Sequence, residues 1–478
     1  MKPPLLIFTR FYEELLPLEW WFVIDKLDFE DDDLAQIARE IRQALENKAH
    51  KPVFSKTIDK RKYSYFKKSV QTLLLNFDAG KTLEIIQSYE KSVLNDCITP
   101  EEEQGLLRMA QRIDNRNYHF VRFYQLILHF RQFLQIRLRR KLYPKAHAWI
   151  ENYKSSYNKS LRAFDLLHQA TSEVVMEYDM QSDKAGNWEQ ELHGLFDDEA
   201  LDVMNRYAAA VRLAFLYINK GMYQKMLILL DQVENRILRP FYLGRRVLAN
   251  YYANRLIVHS KLDELEKAEH FGRLSLRTPT DDQLFYATNL SSVLLRMGQT
   301  EAAFILMKDH FEQVRQSPSF HSKLGFIAHY VHCLIDLKKF KEAESFAESY
   351  LASHETEIMA NRWHLFFAAY FRSLVMQEKF ARLLYIVDRK GMREKELNYA
   401  GKSHYLPTVS WYIALADFME GDLNEALAVK QMAEVAKNLM QDPLRRERIR
   451  QQIRALYAIQ PDMMKKLWSE LFTDRLIL

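Results

Sequence analysis

Residues 337–351, LKKFKEAESFAESYL, place apolar or small side chains at Phe340, Ala343, Phe346, Ala347 and Tyr350, with Lys and Glu between them. That three-and-four spacing is one face of a helix. Whether the phrase recurs decides the fold. Related phrases start at Asn219 (NKGMYQKMLILLDQV), Ser260 (SKLDELEKAEHFGRLSL), Arg296 (RMGQTEAAFILMKDH), Gln377 (QEKFARLLYIVDR) and Met419 (MEGDLNEALAVKQMAEV).

Each copy begins on a Gly or polar residue, at Gly221, Asp263, Gly298, Lys338, Glu378 and Gly421, at intervals of 42, 35, 40, 40 and 43. Two positions on stand Tyr223, Leu265, Thr300, Phe340, Phe380 and Leu423; three further stand Met226, Ala268, Ala303, Ala343, Leu383 and Ala426. Pro240, Pro279 and Pro318 recur every 39 residues. A helix of about 15 residues, a tight turn and a second helix consume roughly 35–45 residues, and stacking such hairpins buries a core that no single hairpin can bury. Gly at the turn accepts the left-handed conformation that ends the first helix, and Pro fits at the start of the next. Thr280 and Gln283 have the spacing of a helix-start capping box.

The turn phrase resembles that of the tetratricopeptide repeat, best at Gly221/Tyr223 and at Lys338/Phe340/Ala343, over roughly residues 198–439. The family's unit is about 34 residues and these average 40; the small residue it places seven before the turn is Leu256, Val331 and Phe371 in three copies. The resemblance implies an all-α fold, an α-solenoid of stacked antiparallel helix hairpins, whose product is a protein-binding surface. An irregular helical bundle with evenly spaced helices is the competing architecture.

The rest of the chain agrees with a helical class. Its 478 residues are 48% hydrophobic and 27% charged with only 12 Gly and 12 Pro, which favours long helices over many short strands. Helical periodicity is strong at 35–45, 65–77 and 83–94, and a long apolar helix is expected through 117–143. The segment 178–200, with Gly186 and Gly194 among polar residues, reads as a loop. These features divide the chain into an amino-terminal helical domain (1–185), the helical repeats (186–440) and carboxy-terminal capping helices (441–478). The last of these, like the adjacent Trp20 and Trp21, suits either intramolecular packing or dimerisation.

Arg10, Glu13 and Glu14 interrupt the apolar start too early for a secretory signal. No run of about 18 uncharged apolar residues occurs, so neither a span nor a membrane partner is expected. Cys97 and Cys333 cannot build a disulfide framework, which points to a cytoplasmic location.

A net charge of +5 hides a local asymmetry: ten Lys or Arg against one acid over 104–147, and ten acids against Lys184 over 171–203. In FVRFYQLILHFRQFLQIRLRRKLY, basic and aromatic residues interleave. Arg122, Arg131, Arg137, Arg139, Arg140 and Lys141 can meet phosphates while rings stack on bases; equally, Tyr118, Phe123, Leu126, Phe130 and Phe133 can face a core. Basic clusters at 56–68 and 445–454 add charge of the same sign.

No motif carries enzymatic chemistry. The glycines are scattered singly, so no phosphate-cradling loop exists, and neither a G-x-S-x-G elbow nor an H-E-x-x-H pair occurs. His329, His332 and Cys333 in HYVHC lack the further ligands zinc requires and read as core residues. Asp31–Asp33 and Asp197/Asp198 precede helical patterns and suit the positive end of a helix. The expectation is a non-enzymatic scaffold or regulatory protein without cofactor, which binds a protein or peptide through residues on the first helix of each hairpin: Asn250, Asn254, Asn289, His329 and Arg362. A nucleic-acid-binding regulator that uses the basic amino-terminal half is the alternative.

Overall fold

The computed structural model describes residues 5–47, 52–180, 188–401 and 405–473. Among them every regular element is helical and no strand occurs. The chain forms two compact units that meet between Thr278 and Pro279. The boundary expected near residue 185 lies outside the described residues.

The first unit holds α1 (Leu6–Glu14), α2 (Pro17–Lys26), α3 (Asp32–Glu46), α4 (Lys60–Phe77), α5 (Ala79–Leu94), α6 (Pro100–Ala110), α7 (Phe120–Ile136), α8 (Tyr143–Met180), α9 (Trp188–Asp197), α10 (Val203–Asn219), α11 (Tyr223–Val233), α12 (Arg245–Lys261) and α13 (Leu265–Ser275). The second holds α14 (Gln283–Arg296), α15 (Thr300–Asp309), α16 (Phe311–Gln316), α17 (Phe320–Asp336), α18 (Phe340–Ala360), α19 (Trp363–Val375), α20 (Phe380–Lys390), α21 (Met392–Tyr399), α22 (Thr408–Met419), α23 (Glu425–Lys437), α24 (Pro443–Tyr457) and α25 (Pro461–Leu471).

Local chemistry starts these helices where the sequence supplies it. Asp31 caps α3, its carboxylate accepting from the Leu34 N–H at 3.1 Å. Thr99 and Glu102 form a reciprocal capping box on α6: Glu102 N–H donates to Thr99 Oγ1 at 3.2 Å and Thr99 N–H to Glu102 Oε2 at 2.8 Å. Pro100 occupies its first turn, where a missing N–H is harmless. Thr280 and Gln283 do not make the expected box. Here α14 starts at Gln283 itself, and Thr280 Oγ1 is buried without a hydrogen-bond partner among the described residues. Nor do Asp197 and Asp198 start a helix: Asp197 ends α9 and pairs with Arg236 at 2.5 Å, whereas Asp202 caps α10.

All six repeat starts read from sequence are left-handed turn residues, with φ of 67° at Gly221, 63° at Asp263, 73° at Gly298, 60° at Lys338, 57° at Glu378 and 88° at Gly421. At each, the next N–H reaches back to the carbonyl five residues earlier, as from Met222 to Tyr217 at 2.8 Å and from Lys339 to Leu334 at 2.9 Å. This closure satisfies carbonyls that a helix end leaves orphaned. It joins α10 to α11, α12 to α13, α14 to α15, α17 to α18, α19 to α20 and α22 to α23, and each of these pairs packs together. Met226, Ala268, Ala303, Ala343 and Leu383, in the second helices, are fully buried.

The sixth unit departs from the register. Ala426 is exposed, and Ala428 takes the buried place. The cause is a turn two residues longer: α23 starts at Glu425 behind Asn424, whose Oδ1 accepts from Leu427 N–H at 2.9 Å. We expect Ala428→Leu to lose about 1–3 kcal/mol of stability by overpacking and Ala426→Leu to stay within about 0.5 kcal/mol of the parent. Denaturant titration of both variants checks this, and equal effects would overturn the assignment.

The same closure occurs at two turns that carry no repeat phrase. Asp96, at φ 55°, lies between α5 and α6, and Leu138, at φ 53°, lies between α7 and α8. The latter corrects the expectation of one helix through 117–143. Instead α7 stops at Ile136, Arg139 N–H bonds to the Leu134 carbonyl at 2.8 Å, and α8 starts at Tyr143. Of the remaining elements, α25 packs on α23 and α24 through Met463, Met464, Leu467 and Trp468.

The first unit contains two cores. One joins Phe8, Phe11, Trp20 and Phe22 to Phe66 and, from much later in the chain, to Tyr242 and Tyr252. The other gathers Phe120, Phe123, Phe130 and Phe133 of α7 with Ile86, Leu106 and Ile150.

Candidate functional site

In the second unit α14 packs on α17, α17 on α19 and α19 on α22, so the first helices of successive hairpins lie side by side. Asn289 sits on α14, His329 on α17, and Arg362 immediately precedes α19. Asn289 Nδ2 and His329 Nδ1 are buried atoms without a hydrogen-bond partner among the described residues. Buried polar atoms are nearly always paired, and leaving one unpaired costs about 1–3 kcal/mol. Two on neighbouring helices need a reason.

The surroundings of His329 are cationic. The Arg362 guanidinium reaches over α17, its Nη1 3.4 Å from the His321 carbonyl oxygen. Gly325 makes room for it: a Cβ at that position would lie 2.9 Å from Arg362 Nη1. Burial, with the charges of Arg362 and of Arg448 from α24, pushes the His329 imidazole down to about 4. One turn on, Arg372 Nη1 lies 3.3 Å from His332 Nδ1. A guanidinium can only donate, so Nδ1 is the acceptor and the neutral ring carries its proton on Nε2. Burial and then Arg372 hold His332 well below the ordinary histidine range. Arg372 is anchored in turn by Asp336 at 2.6 Å.

Cys333, four residues from His329, places its Sγ 3.7 Å from Ser291 Oγ of α14. Burial pushes its thiol up to about 11, which makes it an unreactive interior group. No group of three or more His, Cys, Asp or Glu placed to hold a metal occurs among the described residues.

The other expected binding residues are in the first unit. Asn250 and Asn254 belong to α12 of the first unit and satisfy each other. Asn254 Nδ2 donates to Asn250 Oδ1 at 3.2 Å, and the Tyr207 hydroxyl donates to the same oxygen at 3.2 Å. Three features were not legible: the room that Gly325 makes for Arg362, the contact of Arg372 with His332, and the charge of Arg448 near His329. Arg448 sits in RRERIRQQIR, a run whose charge density reads as an exposed terminal helix capping the last repeat.

The basic set is dispersed along α7 and the turn that follows. Arg122 pairs with Glu90 at 2.7 Å, Arg137 with Asp96 at 3.1 Å and Arg139 with the buried Glu103 at 3.4 Å. Arg131 is half-buried on α7, and Arg140 and Lys141 are exposed in the turn. Phe120, Phe123, Phe130 and Phe133 are buried, so these rings are not offered to bases. In the 56–68 cluster, Lys62 pairs with Asp31 and Lys67 lies over the Phe11 ring. Among the described residues no helix is long and apolar enough to cross a membrane.

No family model matches this chain, and neither a curated protein nor a solved structure matches it.

Proposed function

We propose that this is a non-enzymatic, cytoplasmic helical-repeat protein, similar to tetratricopeptide-repeat proteins, whose stacked antiparallel hairpins bind a protein or peptide partner as a scaffold or regulator. The observation that carries this reading is the pair of buried atoms without a partner among the described residues, Asn289 Nδ2 and His329 Nδ1, the latter under the charges of Arg362 and Arg448. An amide donor and two guanidinium charges favour a segment rich in carboxylates and backbone carbonyls. A bound segment that pairs the orphaned atoms recovers the desolvation already incurred when the chain folds.

The test is capture of partners by the tagged full chain from its own cytosol, in nuclease-treated and untreated halves, alongside an Asn289→Ala/His329→Ala variant. We expect a defined protein recovered equally from both halves by the parent and reduced about tenfold or more with the variant, the scale of two lost buried hydrogen bonds. Equal recovery by parent and variant, or partners that vanish with nuclease, would overturn the reading.

A further inference from the structure

The turn between α7 and α8 carries an observation that folding does not explain. Leu138 holds φ 53°, a region that a large side chain occupies at a cost and that Gly occupies freely. At the other hairpin turns closed in this way the left-handed residue is Gly, Asp, Lys or Glu; here it is a leucine. Burial does not offset the strain, because the side chain is 71% exposed, and its neighbours Ile136 and Leu94 are 76% and 59% exposed. The two turns are held together: Arg137 pairs with Asp96 and Arg139 with Glu103. With these acids engaged, Arg140 and Lys141 project without an ion pair among the described residues, and Lys91 and Lys145 are exposed nearby in sequence. The turn between α7 and α8 thus presents exposed aliphatic side chains, Ile136 and Leu138, followed directly by the exposed cations Arg140 and Lys141.

We propose that this tip docks peripherally on an anionic lipid surface, with Ile136 and Leu138 entering the interface and Arg140 and Lys141 meeting headgroup phosphates or carboxylates. Charge complementarity selects an anionic partner. The aliphatic character of the tip selects lipid over nucleic acid, since bases stack on rings and the rings of α7 lie inside. Such docking needs no spanning helix. It concerns the first unit alone, so its failure leaves the reading of the second-unit residues Asn289 and His329 untouched.

The experiment is co-sedimentation of the full chain with vesicles of phosphatidylcholine, with and without phosphatidylserine, across a salt series. We expect partitioning at least about tenfold stronger onto the anionic vesicles at low salt, weakening as salt rises. Ile136→Asp/Leu138→Asp and Arg140→Glu/Lys141→Glu should each reduce it about tenfold or more. Leu138→Gly, which suits the turn better than the native residue, controls for folding and should weaken binding several-fold. Absence of binding to anionic vesicles, or variants that bind like the parent, would overturn the proposal. So would a shift on single-stranded RNA abolished by Arg140→Glu/Lys141→Glu and kept by Ile136→Asp/Leu138→Asp.

Discussion

Glu19→Ala is expected to destabilise the first unit by about 3–5 kcal/mol, the range for removing one partner of a buried ion pair. The carboxylate is almost fully enclosed and every bond it makes is specific. Oε1 accepts from the Tyr242 hydroxyl at 2.7 Å and Arg245 Nε at 2.8 Å; Oε2 accepts from Leu16 N–H at 2.8 Å and Arg245 Nη2 at 3.1 Å. Burial and then the Glu19 charge push the Tyr242 phenol far up, which keeps it a proton donor at any ordinary pH. Truncation to alanine leaves a guanidinium, a phenol and a backbone N–H facing one void. Glu19→Gln keeps an acceptor and should lose less. Denaturant titration followed by circular dichroism measures both. A loss for Glu19→Ala below about 1 kcal/mol, the level of a surface pair, would sink the claim that this bridge ties α2 to α12.

Acidification is expected to weaken the second unit well before its carboxylates titrate. His329 is pushed down to about 4, and His332 lies well below its ordinary value. In the unfolded chain both protonate near pH 6.5. Below that pH the unfolded state takes up protons that the folded state refuses, so stability present above pH 6.5 is lost as pH falls toward 4. For His329 alone the loss approaches about 3 kcal/mol, and His332 adds to it. The sign is opposite to that of a histidine paired with a carboxylate. Urea midpoints at pH 7, 6, 5 and 4.5 test this in the parent and in His329→Gln, which has no proton to gain. The parent should fall more steeply; parallel curves would show that His329 folds charged.

What could be read in the sequence was what local geometry imposes. A helix end that must turn within two residues needs a left-handed position, and a close helix pair needs a small side chain. Gly221, Gly298 and Ala343 announce these needs, and Asp263, Lys338 and Glu378 were found by interval where Gly was absent. The turn at Leu138 was not legible because its left-handed residue is large and apolar and prolongs the hydrophobic pattern of α7 into α8. The displaced register at Ala428 was not legible because a longer turn leaves the helical spacing of α23 intact. The site was legible only in part. Asn289, His329 and Arg362 follow from their place in or just before successive first helices, but the second guanidinium that acts on His329 comes from Arg448, and no spacing rule links α24 to α17. Glu19 and Arg245, 226 residues apart, leave no trace in sequence pattern at all.

That separation has a consequence for how the protein is made. A ribosome adds about 5–20 residues per second, so on the order of 10–50 s pass between the emergence of α2 and that of α12. Throughout that interval Leu18 and Phe22 lack Tyr252 and Tyr242, which they meet in the finished fold. The nascent amino-terminal helices are therefore expected to rely on their own cluster of Phe8, Phe11, Tyr12 and Trp20, or on a holding chaperone, until α12 arrives. In the second unit each hairpin finds its neighbour about forty residues on, within seconds. Synthesis is thus slow to complete the half made first and quick to complete the half made last.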